Sequence, residues 1–150
     1  MKVIWVATMW LSLCCAAAGT DEPLEPEQAF QLSVRAINRT TLEARWRIAD
    51  GCYLYRDKIR FSADGTGIRL GAPRFPLAEV HQDPFFGTAA IYRGEATVVL
   101  PLSSTESIRS VGLRVQFQGC DGKRGICYPV ATRYMAIDMT ESASSSGASP

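Results

Sequence analysis

The stretch Phe30-Gln31-Leu32-Ser33-Val34-Arg35-Ala36-Ile37-Asn38-Arg39-Thr40-Thr41-Leu42-Glu43-Ala44-Arg45-Trp46-Arg47-Ile48 decides the fold. Phe30, Leu32, Val34 and Ala36 alternate with polar residues. After Asn38-Arg39-Thr40, Leu42, Ala44, Trp46 and Ile48 alternate again. A period of two on both sides of a polar turn reads as an antiparallel hairpin with one buried face. Asn38-Arg39-Thr40 also fits a glycosylation sequon, but a hairpin turn accounts for it.

The pattern continues downstream. Asp50-Gly51 is a turn signal, residues 53–61 form a third strand candidate, and Asp64-Gly65 is a further turn. Ile68-Arg69-Leu70 is short, and Pro73, Pro76 and Pro84 mark a long irregular stretch. Residues 96–102 and 111–117 follow as strands, the latter with Val111, Leu113, Val115 and Phe117 on one face. Tyr134, Ala136 and Ile137 belong to a last strand. No segment sustains a helical period and no internal repeat is visible. Many short strands separated by turn signals predict an all-β antiparallel sandwich.

The two ends read differently. Lys2, an apolar run over residues 3–15 and the small residues Ala16-Ala17-Ala18 give the pattern of a cleavable signal peptide over residues 1–18. The run is short for a membrane-spanning helix. The residues before Cys14 and Cys15 are not those of a lipobox. Residues 19–27, acidic and with two prolines, read as an extended lead-in to a domain over 28–140. Residues 141–150, rich in Ser, Gly and Ala, read as a disordered tail.

Without signal and tail, about 110 to 120 residues remain of the chain's 150, one domain able to bury a real core. Of 16 basic residues only Lys2 lies in the signal, so the remaining basic residues balance the 15 acidic ones. No basic stripe points to nucleic acid. Cys52, Cys120 and Cys127 survive cleavage. Export places them in an oxidising compartment where a disulfide persists, and an odd count leaves one cysteine over.

Cys120-Asp121-Gly122-Lys123-Arg124-Gly125-Ile126-Cys127 places two cysteines on either side of a glycine-containing loop. Strands pairing directly across such a loop bring the cysteines within bridging distance. Closing an eight-residue loop is worth only about 2.5 kcal/mol, so a domain with its own core withstands losing the bridge. Lys123 and Arg124 favour a thiolate and Asp121 opposes it. Two readings stay open on spacing alone: a thiol–disulfide exchange centre, or a non-enzymatic binding module whose bridge only fastens a hairpin. In the second, the aromatic loop Phe85-Phe86, flanked by Pro84 and Gly87, is the contact surface.

Four segments in order carry a resemblance. Gln118-Gly119-Cys120 with Cys127-Tyr128-Pro129 resembles the active-site hairpin of the N-terminal periplasmic domain of thiol:disulfide interchange proteins of the DsbD family. Ala49-Asp50-Gly51-Cys52-Tyr53-Leu54-Tyr55-Arg56, His81-Gln82-Asp83-Pro84-Phe85-Phe86-Gly87 and Ile91-Tyr92-Arg93 resemble the segment before the site, the cap loop and the segment after the cap. Trp46 lies on a strand where that family carries tryptophan. The resemblance covers roughly residues 27 to 139. It implies an immunoglobulin-like fold, a periplasmic location and protein-disulfide reductase chemistry. Electrons would pass from a membrane-embedded thiol reductase to thioredoxin-like proteins.

The resemblance also implies residue roles. Cys127 forms mixed disulfides and Cys120 resolves them. Phe85 shields the pair, with Phe86 beside it in the cap loop. Asp83 tunes the sulfurs, and Tyr53 and Tyr55 line the site. The sequence departs from the family at Cys52, where an aromatic residue is usual, and in a slightly longer inter-cysteine loop. It also ends where the family protein continues into a membrane domain and a thioredoxin domain. The donor is therefore expected to be a separate protein.

Cys52 is expected to be a small buried hydrophobe rather than a third redox centre. His81 is the sole histidine, thin support for a metal site or for metal delivery with reduced cysteines. No cofactor and no metal are expected, the chain is expected to be monomeric, and no hydrolytic triad or carboxylate pair stands out.

Overall fold

In the computed structural model, which describes residues 22–140, the founding hairpin forms as β1 (Phe30–Asn38) and β2 (Thr41–Ile48), with Trp46 opposite Leu32. The segment expected to be a signal peptide, the first residues of the lead-in and the expected tail lie outside the described residues. Before β1 comes one helical turn, α1 (Pro26–Ala29), which has proline at its start, where a missing N–H costs nothing.

Ten further strands follow: β3 (Cys52–Tyr55), β4 (Arg60–Asp64), β5 (Ile68–Leu70), β6 (Glu79–Asp83), β7 (Gly87–Tyr92), β8 (Glu95–Ser104), β9 (Ser110–Phe117), β10 (Gly119–Asp121), β11 (Ile126–Cys127) and β12 (Ala131–Asp138). All pairings are antiparallel. They make three sheets with the orders β1-β2-β8-β5, β12-β9-β4 and β11-β10-β3-β7-β6.

The first two sheets make an immunoglobulin-like sandwich. Leu42, Ala44, Trp46 and Ile48 of β2 and Ala96, Val98, Leu100 and Leu102 of β8 point inward from one sheet. Val111, Leu113, Val115 and Phe117 of β9 point inward from the other. Trp46 meets Phe117 edge-on at 5.8 Å between ring centroids. These alternating residues form one buried cluster, so the core is the direct product of the period-two pattern.

The third sheet carries the site, and its origin corrects the reading of residues 53–61 as one strand. β3 and β4 are separated by a 3-10 turn, Arg56–Lys58, and lie in different sheets. Leu54 pairs with Gly119 and Arg60 with Gln116, so five intervening residues run against two across the break. The surplus bends the ribbon, and the buried Ile59 anchors the corner. The proline-marked stretch is also not irregular throughout. β6 and β7 form a hairpin within it, with Asp83 opposite Gly87, and Gly87 takes a positive φ of 70° to turn the chain.

Strand β3 is buried on both faces. Cys52 and Leu54 belong to the main core, while Tyr53 and Tyr55 form a second cluster with Ile91 and Cys120, against which Ala89 and Cys127 pack. Successive side chains of a strand point to opposite faces, so this one strand divides core from site.

Candidate functional site

Cys120 and Cys127 are directly opposite each other in the β10–β11 pair and are joined by a disulfide, with their Cα atoms 4.0 Å apart. Cys120 is buried and Cys127 half-buried. β10 is held from its other side by β3, where Cys120 faces Tyr53 in register. Gly119 makes this close approach possible. A Cβ there would come within 2.5 Å of the Phe30 ring and closer still to the Tyr53 carbonyl oxygen.

The Tyr55 hydroxyl lies 3.0 Å from Cys120 Sγ and 3.6 Å from Cys127 Sγ. It also donates a 2.6 Å hydrogen bond to Asp83 Oδ2, and Tyr53 donates to the same oxygen at 2.6 Å. Asp83 Oδ1 accepts the backbone N–H groups of Phe85 and Phe86 at 2.8 and 2.9 Å. Asp83 is only 5% exposed. Burial alone would raise its pKa, but the four hydrogen bonds outweigh it and hold the carboxyl at about 2. Burial, then Asp83, push both phenols up, so both tyrosines stay neutral donors.

This arrangement fixes what Tyr55 presents to sulfur. A phenol has one proton to donate. Here it goes to an ionised carboxylate that can only accept. Toward a reduced Cys120 the hydroxyl therefore offers a lone pair, which favours the thiol over the thiolate. Asp83 thus links the sulfurs, through Tyr55, to the backbone of Phe85 and Phe86.

The Phe85-Phe86 loop leans on the same group. The Phe86 ring stands edge-on to Tyr55 at 5.0 Å, with the Lys58 ammonium 4.6 Å from its centroid on a cation–π contact. Phe85 is 55% and Phe86 47% exposed, unusual for two adjacent large apolar side chains. Phe85 lines an open cleft of about 400 Å³ with Tyr53, His81, Arg93 and Lys123 among its walls. The His81 ring lies against Tyr53 at 5.1 Å, and the Arg93 guanidinium stands 4.9 Å from the centre of the Tyr53 ring.

The family described as "Thiol:disulfide interchange protein DsbD, N-terminal" matches residues 20–139. The chain belongs to this family. A thiol:disulfide interchange protein DsbD from Pasteurella multocida (strain Pm70) is 37% identical over 136 residues, which is 89% of this chain and 22% of that protein. The chain spans about a fifth of the length of the curated relatives it matches. The crystal structure of the reduced DsbD N-terminal domain from Neisseria meningitidis superposes with a TM-score of 0.67 at 34% identity, covering 77% of this chain and 89% of that one. The same domain from Neisseria meningitidis in complex with the PilB N-terminal domain gives a TM-score of 0.63 at 32% identity, over 75% and 85% of the two chains.

The structure brings together Cys120, Cys127, Tyr53, Tyr55, Asp83, Phe85 and Phe86, and sets Cys52 apart from them. The ring that packs against Tyr55 is that of Phe86. Cys52 pairs in register with Asp121, on the face of β3 and β10 opposite Cys120, where burial, then Asp121, raise its thiol pKa. Lys123 and Arg124 bond to carboxylates: Lys123 forms an ion pair with Asp50, and Arg124 with Asp121 at 2.8 Å. Their influence on the sulfurs is thereby offset. The sequence gives no site role to Lys58, nor to Arg93 beyond its place in the Ile91-Tyr92-Arg93 segment. Their only signal is a cation near aromatic residues, and the partners are distant along the chain.

Proposed function

We propose that this domain is a periplasmic thiol–disulfide exchange module. It takes electrons from a membrane-embedded thiol reductase and delivers them to thioredoxin-like oxidoreductases, acting as a protein-disulfide reductase component. The observation that carries the reading is the Cys120–Cys127 disulfide set against Tyr55 beneath an exposed aromatic cap. A bridge that only fastened a hairpin has no need of a buried carboxylate linking sulfur contacts to a loop. Membership of the DsbD N-terminal family supports it, as does the complex that such a domain forms with the PilB N-terminal domain. The export signal over residues 1–18 supports the location, with an exchange domain over 28–140 between a lead-in and a tail.

The chemistry balances as follows. The Cys127 thiolate attacks a partner disulfide, a mixed disulfide forms, and one partner sulfur leaves as thiolate and takes a proton. Cys120 then attacks Cys127 Sγ, the Cys120–Cys127 bond forms, and the second partner sulfur leaves. Two electrons have moved to the partner. The greater exposure of Cys127 supports its role as the attacking sulfur. The cap limits waste of the reduced pair on stray oxidants, and its displacement on docking gives specificity.

The test is the reduction potential of the pair, measured in graded thiol/disulfide buffers with Cys52→Ala to keep the readout clean. A potential above about −250 mV, with mixed disulfides captured by Cys120→Ala, is expected for an exchange centre. A potential below about −300 mV would mark a structural bridge and leave the aromatic loop as a plain binding surface.

A further inference from the structure

We propose that Asp121 is a positioning residue for exchange, holding the turn between the two cysteines in shape while the disulfide is open. This rests on the exchange reading above. Asp121 follows Cys120 in β10 and pairs with Ile126, the residue before Cys127. Its register partner on the other side is Cys52, so its carboxylate lies on the face away from the Cys120 sulfur. It is 2% exposed. Its bonds go to the turn: Oδ1 accepts the Lys123 and Arg124 amides at 3.0 and 3.1 Å, and Oδ2 accepts the Arg124 guanidinium at 2.8 Å.

Two further tethers fix the same turn from outside. The Gly122 N–H donates to the Gly51 carbonyl at 2.9 Å, and Lys123 pairs with Asp50. Gly125, at a φ of 65°, closes the turn into β11. None of these contacts involves sulfur, so all are available after reduction. The need is plain, because β11 is two residues long and is an edge of its sheet. Strand pairing that short is marginal without help. A turn that keeps its shape keeps Cys120 at a high effective concentration toward Cys127, and that concentration sets both the resolution rate and the stability of the bridge.

The experiment uses glutathione as the probe. The full chain carrying Cys52→Ala is compared with added Asp121→Ala and Asp121→Asn. Resolution is followed as Cys120 attacks Cys127 in a Cys127–glutathione mixed disulfide. The Cys120–Cys127 bond forms, the bond to glutathione breaks, and its thiolate leaves and takes a proton. Asp121→Ala is expected to slow this about tenfold and, with the effective concentration falling by the same factor, to raise the potential by about 30 mV. Asparagine still offers an oxygen to both turn amides, so Asp121→Asn is expected to stay within about threefold of the parent. Equal, full effects in the alanine and asparagine variants would assign the role to charge and overturn the proposal, as would no effect in either. If Asp121→Ala does not fold, Asp121→Ser takes its place, since a hydroxyl caps such turns more weakly; it must be slower than Asp121→Asn. These readouts belong to the hairpin. A parent chain that shows them but passes no electrons to a thioredoxin-like protein would sink the exchange reading and leave the positioning role standing.

Discussion

Tyr55 and Asp83 share a 2.6 Å hydrogen bond in which the only phenolic proton is committed to the carboxylate, while the same oxygen lies 3.0 Å from Cys120 Sγ. The negative charge of Asp83 and the lone pair of Tyr55 both disfavour a thiolate. Asp83→Asn removes the charge and frees Tyr55 to donate toward sulfur. The reduced variant is expected to show a thiol pKa lower by about one unit, read from the pH dependence of alkylation.

Asp83 also predicts an acid limit. Its folded pKa, about 2, lies below the ordinary carboxylate value of 3.8, so its stabilising contribution is complete above the ordinary value and is lost as pH falls through 2. Denaturant melts of the parent and Asp83→Asn should therefore differ by about 2 kcal/mol near neutral pH and converge between about pH 4 and pH 2.

Opening the bridge should leave the sandwich standing. The main core draws most of its residues from β2, β8 and β9 and does not include Cys120 or Cys127. Reduction is expected to lower unfolding stability by about 2.5 kcal/mol or less, with far-UV circular dichroism unchanged. The measurement is a urea titration of oxidised and reduced protein.

Gly119→Ala should do far more damage than its single methyl suggests. The added carbon meets the Tyr53 carbonyl, which is backbone, and the buried Phe30 ring. A loss of about 2 to 4 kcal/mol in thermal or urea unfolding is expected, together with a shifted β10 and a perturbed potential.

The two cap phenylalanines should separate by assay. Phe86 rests on Tyr55 and Lys58, so Phe86→Ala is expected to speed alkylation of the reduced pair by a small reagent about threefold to tenfold. Phe85 is the more exposed, and Phe85→Ala should weaken capture of a thioredoxin-like partner more than it changes alkylation.

Much of this was legible because a period of two is a strong local signal. β1, β2 and β9 follow directly from alternating residues, and the cysteine hairpin follows from two cysteines around a short glycine-bearing loop. The break inside residues 53–61 was not legible, since a strand that leaves one sheet and enters another keeps strand-forming residues on both sides of the corner. The β6–β7 hairpin was hidden by the prolines around it, although those prolines lie outside its strands. The charges of Lys123 and Arg124 were legible, but not their direction, because Asp50 is brought to Lys123 only by folding.

The division of β3 between core and site makes the length of one turn a functional quantity. Cys52 and Leu54 face the core, while Tyr53 and Tyr55 face the sulfurs. A one-residue slip in the register of β3 would exchange these faces, driving two phenols into the sandwich and a lone thiol toward the bridge. The Asp50-Gly51 turn is thus held in count as well as in composition, since Gly51 takes a positive φ of 83° and Asp50 pairs with Lys123.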